Sequence, residues 1–149
     1  MNLKSIFSVP DTVTPVSVGL LFTRIFAGAA MAQHGWPKMQ NMTSWMGEAM
    51  PPFLQALAAI SEFGGGIALI LGVLTPLAMF GLLSTMGVAA YTHISRGDAM
   101  VASGPGQGSW ELAGLYFVLS LMFILTGPGK FSVDHALFGV KGRSVPSEV

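Results

Sequence analysis

PVSVGLLFTRIFAGAAMAQHGWPK, from Pro15 to Lys38, is an apolar run of bilayer-crossing length with Arg24 near its middle and His34, Gly35 and Lys38 closing its far end. A spanning helix needs about 20 mostly apolar residues, so length and composition both permit one here. The cation makes a demand on the rest of the chain. An isolated charge at membrane mid-depth costs roughly 2.5–3.5 kcal/mol on insertion scales. The other helices are therefore expected to supply a counter-charge or a wet cavity.

Composition agrees with a membrane location. The 149 residues are 52% hydrophobic and 9% charged, with a mean hydropathy of +0.64, whereas soluble domains are about 25% charged. The chain reads as one integral membrane domain over residues 1–149. Zero formal net charge gives no basic field for nucleic acid. The absence of cysteine excludes thiol catalysis, CxxC relays, iron–sulfur ligation and Cys-type zinc sites. Any electrons handled here would be carried by a bound cofactor or substrate. Ala30-Met31-Ala32 resembles a signal-peptide cleavage box, but Arg24 interrupts the apolar core such a signal needs. The segment reads as a retained helix.

Four spanning helices are predicted at about residues 15–35, 53–73, 76–95 and 110–126, forming an all-α antiparallel four-transmembrane-helix bundle. Thr14-Pro15 reads as an N-cap and first turn, and Trp36-Pro37 as the stop of the first helix. Residues 39–52 are too polar to span. Met39, Met42, Trp45 and Met46 recur at helical spacing there, which predicts a short interfacial helix, with a lid as the other reading. Gly64, Gly65 and Gly66 suit close helix approach. Ser109 is a candidate cap for the fourth helix, with Glu111 in its first turn favouring the helix dipole. Ser132 is a candidate cap for a short amphipathic helix using Phe131, Leu137 and Phe138. Residues 139–149 read as a disordered tail. Lys4, Lys130, Lys141 and Arg143 outnumber Lys38 and Arg96 on the opposite side, so both termini are expected in the cytoplasm.

Counting about 1.5 Å per residue sets depths. Arg24 lies ten residues below His34 and Glu62 nine below the start of the second helix, which suggests an Arg24–Glu62 ion pair. Above it, His34, His93 and Glu111 converge on one mouth, with Gln33, Lys38, Tyr91 and Asp98 nearby. Each alone has a structural reading, as interface residue or cap. Their concentration at one end makes them site candidates.

Arg24, Gly28, His34-Gly35 and Lys38, then Glu62-Phe63-Gly64-Gly65 with Gly72 and Thr75, then His93, Glu111 and Gly127-Pro128-Gly129 with Ser132 and Asp134, resemble the DoxX family over roughly residues 17–138. The resemblance implies a small four-helix protein of the bacterial inner membrane. Some members of that family are linked to quinone-dependent oxidation, such as thiosulfate oxidation feeding a quinone pool.

A quinone site needs an apolar slot with polar groups at the ring carbonyls. Glu62, His93 and Glu111 are the candidate proton-handling residues, and Arg24, His34, Lys38, Glu62, His93 and Glu111 the candidate binding set. The expected role is a quinone-linked redox accessory subunit in the bilayer, with a protein partner delivering or accepting electrons and a homo-oligomer compatible with the glycine-lined faces. Alternatives are a small-solute carrier or assembly subunit, a haem held by His34 and His93, and a His/Glu metal site. The last lacks the Glu-x-x-His signature of carboxylate-bridged metal bundles.

Overall fold

Prolines at the first or second position open three helices of the computed structural model, which describes Phe7 and residues 9–139. Proline suits this place because its missing N–H is one the first turn leaves unpaired anyway. The helices are α1 (Thr14–Gln40), α2 (Pro52–Leu71), α3 (Thr75–Ser95), α4 (Glu111–Thr126) and the short α5 (Val133–Phe138), with one 3-10 turn at Gly47–Ala49. No β-strand occurs among the described residues. α1, α2 and α3 are long and apolar enough to cross a membrane, and α4 is a shorter apolar helix. Phe22, Phe26, Leu77, Phe80, Leu115 and Leu125 project from their outer faces. Such a belt is a liability in water and suits lipid.

Several expected boundaries change. α1 does not stop at Gly35 but runs through Pro37 to Gln40, adding about 7 Å of helix. The interfacial helix expected within 39–52 is instead a series of turns ending in the Gly47–Ala49 turn. Val13 rather than Thr14 stands at the N-cap of α1, and Trp110 rather than Ser109 at that of α4, neither with a side-chain capping bond. Ser132 does cap α5, its hydroxyl accepting from His135 N at 3.1 Å. The tail expected to be disordered lies, apart from Gly139, outside the described residues, as do Lys4, Lys141 and Arg143.

α1 and α2 run antiparallel at backbone contact distance. A Cβ on Gly28 would lie 2.6 Å from the Gly66 carbonyl oxygen, and one on Gly66 would lie 2.6 Å from Ala32 N. Gly35 abuts the Phe63 backbone, and Gly72 abuts the Arg24 guanidinium. In lipid, where apolar burial gives little drive, close backbone approach through small residues is a main source of helix association.

This register overturns the Arg24–Glu62 pair. Glu62 is level with Gly35, and Arg24 lies eleven residues further along α1, or about 16 Å. The expectation failed because depth was counted from a helix end at Gly35, and α1 continues past it. Arg24, 1% exposed, turns instead toward the end of the molecule where Val9 meets Gly139. Its Nη1 donates to Pro128 O at 2.9 Å and its Nη2 to Phe131 O at 2.6 Å.

The same knot holds the start of α3. Asp134, on α5, accepts from Leu74 N and Thr75 N, both at 2.8 Å, and its own N–H donates to Gly72 O at 2.9 Å. A buried carboxylate thus caps α3 from another helix, which satisfies orphan N–H groups and suits the dipole. Gly72, with φ +63°, is required twice over. The left-handed turn favours glycine, and a side chain would meet Arg24 and Ser132. Lys130 Nζ pairs with Asp11 at 3.0 Å, and Val9 bridges Gly139, so the segment leading into α1 and the two flanks of α5 lie at one end.

Gly35→Ala is expected to push α1 off α2 and destabilise by about 1–3 kcal/mol, the usual range for overpacking. Gly64→Ala meets only Ile60 Cγ2 at 3.9 Å and should be neutral or slightly stabilising. Thermal unfolding of the two variants in detergent separates these outcomes.

Candidate functional site

At the end away from Arg24, helical spacing lines up two stripes. Met31, His34 and Lys38 on α1, and Met86, Ala89 and His93 on α3, stand at i, i+3 and i+7, which is one helix face. With Glu62, Ser109, Leu112, Ala113 and Tyr116 they enclose a cavity of about 270 Å³. A larger cavity, about 530 Å³, lies between α2 and α3. Leu54, Leu57 and Ala58 of α2 and Ser84, Thr85 and Val88 of α3 are among its walls. Leu57, Phe80 and Val88 border it and are also exposed on the outer surface, so the slot opens sideways, toward lipid. Lys38, Glu62, Ala89 and His93 border both cavities.

Glu62 is the centre of this arrangement. It is 3% exposed, and its Oε1 accepts from Lys38 Nζ at 2.5 Å. The extension of α1 past Pro37 is what brings Lys38 there. Lys38 Nζ also lies 4.5 Å from the Trp45 ring centroid, a cation–π distance. Glu62 Oε2 has no hydrogen-bond partner. Four other buried polar atoms share that state among the described residues, on Arg24, Thr75, Ser120 and His135. None of those residues borders either cavity.

The 41–50 segment roofs the larger slot and is pinned by Gln55, which is fully buried. Gln55 Nε2 donates to Gly47 O and Met50 O at 2.8 and 2.7 Å, and its Oε1 accepts from Met46 N at 2.8 Å. Trp45 Nε1 donates to Gln55 O at 3.1 Å. Trp45, Met46 and Met50 thereby line the slot, so the segment is a roof rather than a detached interfacial helix.

His93 is oriented by Asp98, whose Oδ2 lies 2.7 Å from its Nδ1. A carboxylate only accepts, so the imidazole donates from Nδ1 and turns Nε2 away. Asp98 in turn fills space beside Gly108, where a Cβ would collide with it.

Of the residues singled out in the sequence, Lys38, Glu62, His34 and His93 come together around the two cavities. Arg24 and Glu111 do not. Arg24 belongs to the knot at the other end, and Glu111 is exposed in the first turn of α4, its N–H donating to Met100 O at 3.0 Å. Among the described residues no three His, Asp or Glu side chains are grouped closely enough to hold a metal ion. Sequence reasoning missed Gln55. The signal available was a lone amide in the apolar run FLQALAAI, where an unpaired polar group is costly.

The DoxX family profile matches residues 19–94. Inner membrane protein YqjF of Escherichia coli (strain K12) is 32% identical over 125 residues, covering 80% of this chain and 92% of that protein. An uncharacterized protein of Haemophilus influenzae is 33% identical over 125 residues, covering 80% and 90%. Inner membrane protein YphA of E. coli (strain K12) is 32% identical over 131 residues, covering 78% and 88%. No solved structure gives a significant match.

The geometry sets a double-mutant test. Lys38→Met leaves a buried carboxylate unpaired and should cost about 3–5 kcal/mol, while Lys38→Met with Glu62→Leu should cost less than the sum of the single changes. Arg24→Ala and Glu62→Gln, at separate sites, should add within about 0.5 kcal/mol. Unfolding free energies in detergent check both; coupling between Arg24 and Glu62 would overturn the register described here.

Proposed function

The chain belongs to the DoxX family of integral membrane proteins, and from that premise we propose that it is a quinone-binding accessory subunit of a membrane redox system. The observation that carries the reading is the sideways-opening slot of about 530 Å³ with a buried, half-paired carboxylate at its polar end. Ligand pockets fall at about 300–1,000 Å³ and are mostly apolar with a few placed polar groups. A long apolar tail could leave through the opening beside Leu57 and Val88, directly into lipid. The residues present therefore fit a quinone ring. When bound, it would supply two-electron, two-proton chemistry within the bilayer.

The chain's own residues do the rest. Trp45, Met46 and Met50 roof the slot and keep bulk water out. Gln55 holds that roof down. Lys38 neutralises Glu62 through one oxygen and leaves the other without a partner. Asp98 fixes the ring of His93. The smaller cavity, bordered by His34, His93 and Ser109, gives Glu62 a polar neighbourhood on its other side, suited to proton exchange with the mouth. Electrons would come from, or go to, a protein partner.

In this reading α4 completes an antiparallel four-helix bundle in the inner membrane, as the names of the E. coli relatives suggest. Both termini face the cytoplasm, following the excess of Lys and Arg on their side. The placement of α5 and the start of α1 at one end supports that common side.

Protein purified from membranes in mild detergent is expected to release an isoprenoid quinone on solvent extraction, near one per chain. Ala58→Trp, which fills the slot, should lower that by about tenfold or more without changing helical content by circular dichroism. An extract without quinone ends the proposal. A Soret band in the absorption spectrum, or solute flux in vesicles, would favour haem or transport instead.

A further inference from the structure

The larger slot is an apolar trough that opens to lipid beside Leu57, Phe80 and Val88. Two of its wall hydroxyls are engaged within α3, Thr92 Oγ1 donating to Val88 O at 2.8 Å and Ser84 Oγ to Phe80 O at 2.9 Å. Water along such a wall finds few partners, and an empty slot forfeits dispersion contacts on every side. The hydrocarbon beside the opening suffers neither cost. An acyl chain is therefore the natural occupant whenever no other ligand is there.

The polar end of the slot lies where α1 ends at Gln40, α2 begins at Pro52 and α3 ends at Ser95. Trp45 lines the slot there, and tryptophan favours the membrane–water interface. A lipid with its chain in the slot has its headgroup at this level. Two cations, Lys38 and Arg96, line the slot at the same end. Lys38, with its side chain 26% exposed, gives one N–H to Glu62 and has two more. Arg96 is exposed just past the end of α3 and pairs with no carboxylate among the described residues. Of the carboxylates at this end, Glu62 lines the slot and is paired with Lys38, while Glu48, Asp98 and Glu111 do not line it.

We propose that the slot is a site for an anionic phospholipid of the surrounding bilayer, with one acyl chain between α2 and α3 and the phosphate held at the rim by Arg96 and Lys38. A guanidinium offers paired N–H donors that match two phosphate oxygens, and an ammonium adds a point charge with further donors. A zwitterionic headgroup brings its own cation to the same rim and is disfavoured there. Lipid binding of this kind needs no quinone, so an extract without quinone leaves it standing.

Full-length protein in dodecyl maltoside is incubated with equal amounts of dioleoyl phosphatidylglycerol and dioleoyl phosphatidylcholine, and the retained lipids are counted by native mass spectrometry. Phosphatidylglycerol is expected at one per chain, about fivefold or more over phosphatidylcholine. Arg96→Gln should abolish that preference, and Ala58→Trp, which fills the slot, should remove the bound lipid. Lys130→Gln, which deletes a cation at the opposite end, should change neither. Equal retention of the two lipids, or a loss with Lys130→Gln as large as with Arg96→Gln, overturns the site in favour of general surface attraction. Lipid retained by Ala58→Trp overturns it too, because the chain then lies elsewhere. If Ala58→Trp does not fold, Trp45 is left as the sole tryptophan by Trp36→Phe and Trp110→Phe, and phosphatidylglycerol brominated on its acyl chains is added. Quenching of Trp45 fluorescence then supports the site, and unquenched fluorescence ends it.

Discussion

Backbone contact between α1 and α2 at Gly28, Gly35 and Gly66 determines what meets what at both ends of the molecule. Two helices that touch through glycine have one register in which they fit, since sliding by a residue brings side chains into the interface. That register puts Arg24 beside Gly72 at one end and Lys38 beside Glu62 at the other. The structural knot and the candidate site follow from it together. A side chain at Gly35 would therefore disturb the Lys38–Glu62 pair without touching either residue.

The two buried charges are handled differently, and the difference separates structure from function. Arg24 is held by two carbonyl oxygens of the segment before α5. The nearby Asp134, the carboxylate that acts on it electrostatically, is itself occupied in capping α3. Nothing there borders either of the two cavities described above. The cation serves to tie α1 to the turn between α2 and α3 and to the loop after α4. Glu62 is paired on one side only, and the residue borders both cavities. Arg24 Nε also lacks a partner, so what distinguishes Glu62 is its place on the border of the two cavities.

Much of this was legible in the residues. Apolar run lengths and flanking prolines located all four long helices, and Ser132 was correctly read as a cap. The sequence reading sets His34, His93 and Glu111, with Lys38 nearby, at one mouth and Glu62 below them beside Arg24, whereas the structure brings His34, Lys38, Glu62 and His93 to the two cavities. What sequence could not give was register. Trp36-Pro37 reads as a stop by local rules, yet a helix in an apolar setting tolerates proline where neighbours stabilise it, and Lys38 gains Glu62 only if the helix continues. That one error moved Arg24 up by more than a turn and paired it with the wrong carboxylate. Gly72, Thr75, Pro128, Ser132 and Asp134 belong to the family pattern in the sequence, but their meeting around Arg24 is a long-range event that no local spacing encodes. Glu111 was grouped with the site because it begins a helix at the right end. The structure leaves it exposed in the first turn of α4, where a carboxylate suits the dipole.

The slot itself arises from how α2 and α3 are joined. The turn at Gly72–Leu74 holds them together at one end, and Gly65 against Leu82 and Gly81 against Ser61 keep them close for the next two turns. Beyond Gly81 the facing residues are Ala58, Ser84, Thr85 and Ala89, too small to fill the space between the axes. An ordinary core closes such a gap with larger side chains, since interiors pack to crystal density. Here the gap is kept and roofed instead, by a loop whose Trp45 and Met46 are pinned through a single buried glutamine. Small walls, a tethered roof and a half-satisfied carboxylate at the polar end are each inefficient for stability alone. Together they are what a binding site in the plane of the membrane requires.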